Sequence, residues 1–487
     1  MFRIFSAHLL PLWDETLILL VSVAALIAGL YAAGHALLHK RDPRSALVWV
    51  SLSLTLPFLG PVFYWLLGIN RISRRALRWQ RTGQLLGGSR ISSSRFSDST
   101  PLPADFKHLR DLAILGDKVV RTRLSGGNAI VPTFNGDEAY SAMIAAIDQA
   151  QETVNLSSYI FDGDGAGEGF VRALRTAAER GVAVRVVVDA MGERYSKVTA
   201  KQALAGSKVD IRLYLPLTKG PFINLRNHRK LLVVDGRSAF TGGMNIRSNH
   251  SELHSGKEGA ISDLHFRVEG PVVADLQRSF LEDWYFVSGE LLDDPLFFPA
   301  LDQPGSAFVR AIADGPDRQF RKLEWIVLGA ISCARKRIRI MTPYFIPDRS
   351  MITALTTAAL RGVEITLVLP GCNNLPFVAW ASRASYWELI KNGIRIYEQP
   401  APFAHTKLFQ VDDLWSLIGS ANWDTRSFRL NFELNLSVFD KEFADTLNRH
   451  FDEVLKRSRQ ISLAEIDSRG LPERLRDGVA RLFSPYL

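Results

Sequence analysis

A chain of 487 residues has room for about three domains at the usual ~150 residues each. Lys and Arg number 59 against 50 Asp and Glu, and 47% of the residues are hydrophobic, a globular, slightly apolar balance rather than a disordered one. The basic surplus of +9 favours anionic partners, nucleic acid or acidic lipid headgroups, and the two cysteines, Cys333 and Cys372, have no metal-ligand spacing. They read as ordinary buried thiols of a reducing compartment.

Thr16–Leu38 is a run of 23 residues without a charge, and a helix of about 20 suffices to cross the hydrocarbon core. Ser45–Ile69 is a second uncharged run, with Trp49, Tyr64 and Trp65 near its ends, where interfacial aromatics sit. Pro57, Gly60 and Pro61 lie inside it and predict a kinked helix or a shallow hairpin rather than a straight rod. Residues 1–81 thus read as a membrane domain with two hydrophobic spans. A signal peptide does not fit: the first run exceeds ~15 residues, Arg3 is the only Lys or Arg before it, and a second span follows.

The loop His39–Arg44 is short and basic, but Arg71, Arg74, Arg75, Arg78 and Arg81 form the richer cluster. The positive-inside rule puts that cluster in the cytoplasm and, with two spans, the N-terminus beside it. The chain then reads as a multi-pass protein of the inner (plasma) membrane with the domain that follows the spans in the cytoplasm. The arginines serve equally as a topology signal or as an attractor of anionic lipid, at ~1 kcal/mol each near the surface. Gly83–Pro103, rich in Gly, Ser and Pro, predicts a flexible linker over residues 82–105.

Beyond the linker the chain repeats itself, over residues 106–309 and 310–487. A predicted helix at Glu138–Ala150 leads into a strand at Thr153–Phe161, and Ile326–Ala334 leads into Ile338–Ile346. Tyr159-Ile-Phe matches Tyr344-Phe-Ile, Arg180-Gly-Val matches Arg361-Gly-Val, and strands Val184–Val188 and Glu364–Leu369 follow. Order and spacing hold together, the mark of an internal duplication. Strand, helix and strand in alternation predict an α/β fold of two sandwich halves with buried mixed sheets.

The repeat culminates in one pattern found twice, H-x-K-x4-D-x6-G-[GS]-x-N: His228, Lys230, Asp235 and Asn245, then His405, Lys407, Asp412 and Asn422. Asp235-Gly236 is a strong hairpin signal. Read as a strand, His228 and Lys230 point to one face, and the returning strand carries Asn245 back beside them. Imidazole, ammonium and amide converging from each half make a pocket for a phosphodiester, on a seam where the halves face each other. Asp235 and Asp412 sit where Asp is common for local turn reasons. A strand carboxylate follows each motif, Asp263 in the first half and Glu433 in the second, suited to fixing a histidine tautomer. His250, His254 and His265 read as incidental, and Gly243 stands where the second half has Ser420.

The doubled motif resembles that of the phospholipase D superfamily. Arg44-Ser-Ala-Leu-Val-Trp, Leu56-Pro-Phe-Leu-Gly-Pro, Thr342-Pro-Tyr-Phe-Ile-Pro-Asp and Leu482-Phe-Ser-Pro-Tyr-Leu are similar to bacterial cardiolipin synthases in particular. The resemblance places Asp235 and Asp412 in the catalytic motif beside the histidines and lysines. It implies a phosphohistidine mechanism with His228 as nucleophile and His405 as acid and base, and condensation of two phosphatidylglycerols to cardiolipin and glycerol. Lys230, Lys407, Asn245 and Asn422 would hold the non-bridging oxygens. No carboxylate cluster suggests a metal, and no cofactor is expected. The expected partner is an anionic phospholipid in the bilayer rather than a nucleic acid, because the basic cluster sits beside the membrane without a base-stacking platform. The alternatives are a hydrolytic phospholipase D, a transferase drawing on phosphatidylethanolamine, a tethered nuclease and a non-catalytic scaffold. The sequence itself leaves open the donor, which histidine is the nucleophile, whether the second hydrophobic run fully spans, and the oligomeric state.

Overall fold

In the computed structural model, which describes residues 6–40, 43–68, 101–120, 122–216, 225–315 and 321–484, the chain falls into two compact units, residues 1–77 and 78–487. The first unit begins with the helix Ser6–His39, and Thr16–His39 is the one stretch among the described residues long and apolar enough to cross a membrane. The second apolar run is not one continuous helix. Helix Pro43–Thr55 stops, the chain turns through Leu56–Phe58, and helix restarts at Leu59–Phe63 before a π-helical turn over Tyr64–Gly68. Pro57 lacks an N–H and disfavours helical backbone at Leu56, so the break falls there. The pieces pack back on the first helix through Tyr64, buried against Ala32 and Ala36, its hydroxyl 2.7 Å from His35 Nδ1. The arginines from Arg71 to Arg81 and linker residues 82–100 lie outside the described residues.

In the second unit the described strands form one 15-stranded mixed sheet. They are β1 Ser125–Phe134, β2 Thr153–Ser158, β3 Ala183–Asp189, β4 Asp210–Tyr214, β5 Leu231–Val234, β6 Ser238–Gly242 and β7 Leu264–Glu269. There follow β8 Ala307–Asp314, β9 Arg337–Met341, β10 Glu364–Pro370, β11 Arg395–Gln399, β12 Leu408–Val411, β13 Trp415–Gly419, β14 Glu433–Phe439 and β15 Arg459–Gln460. The spatial order is β15-β11-β10-β9-β12-β13-β14-β8-β1-β7-β6-β5-β2-β3-β4. Read outward from the centre, β1-β7-β6-β5-β2-β3-β4 and β8-β14-β13-β12-β9-β10-β11 run through corresponding strands. β1 and β8 pair antiparallel at Ser125–Val309 and Asn128–Ala307, so the expected separate sandwiches share a continuous sheet.

Helices cover the sheet because its strands are apolar on both faces. Val154, Leu156, Val186, Phe170 and Leu174 centre one core, and Ile338, Ile340, Leu355, Leu367 and Trp415 the other. The matched Arg-Gly-Val segments have a shared structural job. Arg180 donates to the carbonyls of Ile147 and Ala150, at the end of helix Asn135–Gln149, and Arg361 donates to those of Ile331 and Ala334, at the end of helix Lys322–Cys333. Each guanidinium thus satisfies helix-terminal carbonyls that have no partner within the helix. Both cysteines are free; Cys333 is half-buried, but Cys372, expected inside, is exposed in the turn after β10.

Candidate active site

The two histidines are held by backbone from the opposite half of the sheet. His228 and Lys230 lie just ahead of β5, and His405 and Lys407 just ahead of β12, rather than within the strands as the alternation suggested. The His228 N–H donates to the Phe432 carbonyl at 2.9 Å, and the Phe432 N–H to the Arg226 carbonyl at 2.8 Å. The His405 N–H donates to the Ser262 carbonyl at 2.8 Å, and the Ser262 N–H to the Phe403 carbonyl at 3.0 Å. Phe432 and Ser262 each immediately precede a carboxylate, so each anchor delivers a carboxylate to the foreign histidine.

The pairing is therefore crossed. His228 Nδ1 lies 3.0 Å from Glu433 Oε2, and His405 Nδ1 lies 2.7 Å from Asp263 Oδ2. The sequence order had assigned Asp263 to the first set and Glu433 to the second; the structure exchanges them. Glu433 also accepts from the Ser420 hydroxyl and, at 3.1 Å, from Asn431 Nδ2. Asp263 accepts the Leu264 N–H at 2.8 Å. The missing hydroxyl at Gly243 has a steric cause: a Cβ there would stand 2.5 Å from Asp263 Oδ1. Aspartate, one methylene shorter than glutamate, keeps its carboxylate against the backbone, in the space a side chain at residue 243 would need. The glycine before each of these positions, Gly242 and Gly419, has a φ of +156° and +146°, and its Cβ would press on the Leu264 and Leu434 carbonyls.

Electrostatics separate the two pairs. Burial tends to raise Glu433, but His228, Lys230 and Ser420 hold it below the ordinary carboxylate range. Asp263 is raised by burial despite Lys407. Burial lowers His228 while Glu433 opposes the shift, whereas His405 falls well below its ordinary value through burial together with Lys407, Lys230 and His228. His228 is the imidazole with the more firmly ionised partner.

Lys230 donates to the His228 carbonyl at 2.8 Å, with its ammonium 5.5 Å from the Tyr159 ring centroid. Lys407 donates to the His405 carbonyl at 2.6 Å and lies 3.0 Å from His405 Nδ1. Burial lowers these lysines to about 7 and about 8. Each is short of compensating negative charge, a state that an incoming phosphodiester anion relieves. Asn245 and Asn422 are buried, and each leaves its carboxamide oxygen without a hydrogen-bond partner in the protein. Among the described residues no group of His, Cys, Asp or Glu side chains is arranged to hold a metal ion; the positive charge here is carried by lysine.

Asp235 and Asp412, placed in the catalytic motif by resemblance, are not in this cluster. They sit beyond β5 and β12, about 16 Å of strand from the lysines. Asp235 accepts the N–H groups of Gln151, Glu152 and Thr153 at 2.8–2.9 Å, and Asp412 those of Arg335, Lys336 and Arg337 at 2.7–2.9 Å. Both occupy left-handed backbone, with φ of +51° and +55°, as the first residue of a three-residue hairpin loop, Asp235–Arg237 between β5 and β6 and Asp412–Leu414 between β12 and β13. His108 Nε2 adds a contact to Asp412 at 2.9 Å. Asp235→Asn and Asp412→Asn are expected to destabilise the fold by about 2–4 kcal/mol while leaving kcat within about threefold. Thermal unfolding and turnover of the same preparations check this; a stable but inactive variant would contradict it.

The sequence reading passed over three neighbours of the histidines. Tyr159 packs its ring 5.2 Å from His228, and Tyr344 packs 6.5 Å from His405. Their appearance in both copies of the repeat was the available signal. His250, read as incidental, is buried with its ring 5.8 Å from that of His405. It has no counterpart in the other motif, which is why the pattern hid it. His254 is exposed and bonds Ser251, away from the cluster.

Burial lowers His250 to about 3 and His265 to about 4, and neither His265 nitrogen has a protein partner. Below about pH 6.5 an unfolded chain takes up protons that these folded histidines refuse, so stability is lost as pH falls from there towards 4. Melting of the full chain in detergent should weaken by up to about 1.4 kcal/mol per pH unit per histidine over that window. His265→Phe should make the dependence shallower; an unchanged slope would show that His265 is not buried neutral.

A cardiolipin synthase, phospholipase D-like domain profile matches twice, at residues 143–284 and 327–455, and a phospholipase D–nuclease N-terminal profile matches residues 27–68. The chain is 31% identical over 488 aligned residues to a cardiolipin synthase of Geobacillus kaustophilus, covering 98% of this chain and 95% of that protein. It is 30% identical to the major cardiolipin synthase of Bacillus subtilis, over 92% of this chain and 95% of that one. Among solved structures, a phosphatidylserine synthase of Haemophilus influenzae matches with a TM-score of 0.62 at 15% identity, covering 77% of this chain and all of that one, a likeness of fold. The twice-matched profile, the full-length relatives and the mixed α/β fold together identify the chain as a member of the bacterial cardiolipin synthase family, within the phospholipase D superfamily.

Proposed function

We propose that the enzyme moves a phosphatidyl group from one phosphatidylglycerol to a second, giving cardiolipin and glycerol, through a phosphohistidine on His228. The observation that carries this reading is the crossed pair of buried histidine–carboxylate contacts flanked by two lysines. His228 Nε2 attacks phosphorus and the bond to the donor's headgroup glycerol oxygen breaks, with the proton supplied by His405, whose protonated form the bound phosphodiester anion favours by offsetting the neighbouring lysines. A hydroxyl of the second lipid then gives its proton to His405 and attacks phosphorus, and the P–N bond breaks. Lys230 and Lys407 offset the charge on the non-bridging oxygens, with Asn245 and Asn422 alongside. The firmly ionised Glu433 supports His228 as nucleophile, since an Nδ1–H bonded to a carboxylate leaves Nε2 electron-rich.

The mirrored strand order and the double profile match support reading the catalytic unit as two duplicated halves, 106–309 and 310–487, with the site on their seam and residues 82–105 as a linker. Thr16–His39 supports attachment to the inner membrane. Two crossings, a cytoplasmic catalytic unit and the absence of a nucleic-acid ligand complete the reading. Purified protein in phosphatidylglycerol vesicles, with and without phosphatidylethanolamine, is expected to yield cardiolipin and equimolar glycerol by lipid mass spectrometry. Phosphatidic acid as the sole product would make water the acceptor and replace the transferase with a phospholipase D.

A further inference from the structure

Helix Leu471–Leu482 is docked by its narrow side. Ala480 and Asp477 face the protein, fully or almost fully buried, and Asp477 accepts from Arg469 at 2.9 Å and from Arg476 at 2.8 Å. At 100° per residue the large aliphatics fall on another face: Leu471, Leu482, Leu475 and Val479 lie within about 80° of arc. They are 67%, 76%, 60% and 53% exposed, and Phe483 beyond them is 49% exposed. An amphipathic helix of a globular protein normally buries this stripe; here it is turned outward.

Two further observations say what the stripe meets. Arginines border it: Arg474 and Arg481 along one edge, and Arg476 along the other, its guanidinium 4.8 Å over the Trp380 ring. The stripe is also continuous with the site. Phe483 packs 5.5 Å from Phe377, which packs 6.2 Å from Trp380, and both belong with Tyr344 to one apolar cluster. Tyr344 is the ring beside His405, and a cavity of about 190 Å³ opens between Tyr344, Pro376 and Trp380.

We propose that helix Leu471–Leu482 is an interfacial anchor that sinks its Leu471–Leu475–Val479–Leu482 face into an anionic bilayer. Its flanking arginines lie at headgroup level, and the Phe483–Trp380–Tyr344 row forms an apolar path from the membrane to His405. An apolar stripe bounded by arginine fits an anionic lipid surface, where aliphatics enter the acyl boundary and guanidiniums meet phosphates. The choice of a bilayer rests on the phosphatidyl-transfer reading, but the quenching test of it does not require turnover.

The experiment uses the full chain in vesicles, carrying Cys333→Ser and Cys372→Ser. A bimane label is placed at Val479→Cys or, as a control, at the exposed Lys201→Cys. With shallow doxyl-labelled lipid in phosphatidylglycerol vesicles, emission at position 479 should fall at least about twofold, and at 201 it should not change. In purely zwitterionic vesicles the loss at 479 should be smaller; equal quenching there would overturn the arginine contribution. A label at 479 that stays open to water, or is shielded without lipid quenching, would overturn the proposal and assign the stripe to solvent, to this chain or to a second copy. Leu475→Gln with Leu482→Gln should raise the KM in surface mole fraction of phosphatidylglycerol about tenfold with kcat unchanged. A fall in kcat alone would count against an anchor. Failure of these readouts leaves the phosphohistidine chemistry standing, and the loss of that chemistry leaves the quenching untouched.

Discussion

His228→Asn is expected to lower cardiolipin formation by at least about ten-thousand-fold, because it removes the proposed nucleophile. His405→Asn should cost about a thousand-fold with the natural substrate, the range of a lost general acid and base. The two are told apart by a phosphatidyl ester of p-nitrophenol, whose leaving group needs no proton. With it, His405→Asn should release one equivalent of nitrophenolate in a burst and then stall, while His228→Asn should release none. Acid-labile, base-stable phosphorus on the stalled protein would be phosphohistidine. A burst from His228→Asn and none from His405→Asn would reverse the two roles. Wild-type turnover in either variant would end the two-histidine mechanism altogether.

Glu433→Gln and Asp263→Asn carry the second large effect, about a hundred- to ten-thousand-fold on kcat. Both side chains are buried, and each bonds the histidine of the other motif. Each substitution turns a carboxylate acceptor into an amide and invites the wrong imidazole tautomer. The crossed geometry fixes which step suffers. Glu433→Gln should slow the nitrophenolate burst, because His228 loses its support. Asp263→Asn should leave the burst near the wild-type rate and slow only the transfer to the acceptor hydroxyl. Pairing by sequence order predicts the opposite assignment, so one rapid-mixing experiment decides between them.

What the sequence disclosed was local and repeated. The doubled H-x-K pattern pointed to His228, Lys230, His405 and Lys407, and Arg180-Gly-Val and Arg361-Gly-Val marked equivalent helix ends, since each depends on neighbours a few residues away. The asparagines follow from the hairpin that brings the chain back. The crossing was hidden because it spans 205 residues from His228 to Glu433 and 142 from Asp263 to His405, and it depends on which half each extended segment pairs with. Asp235 and Asp412 share the motif spacing for a backbone reason that a pattern cannot separate from a chemical one. Pro57 announced a kink in the second apolar run, but the extent of the break, through Leu56–Phe58, depends on packing against the first helix. His250 has no repeat partner, so only the fold reveals its neighbour.

The exchange of backbone partners at Phe432 and Ser262 bears on the engineering of the chain. A protein cut between residues 309 and 310 would yield two pieces, each holding one of the two histidines and each deprived of the carboxylate that steadies it. Each piece alone lacks the carboxylate for its own ring, and reassembly supplies both in the same event. Selection on one half is thereby read out through the other. A substitution near Glu433 is felt first at residue 228, and a repair is as well sought across the seam as beside the damage.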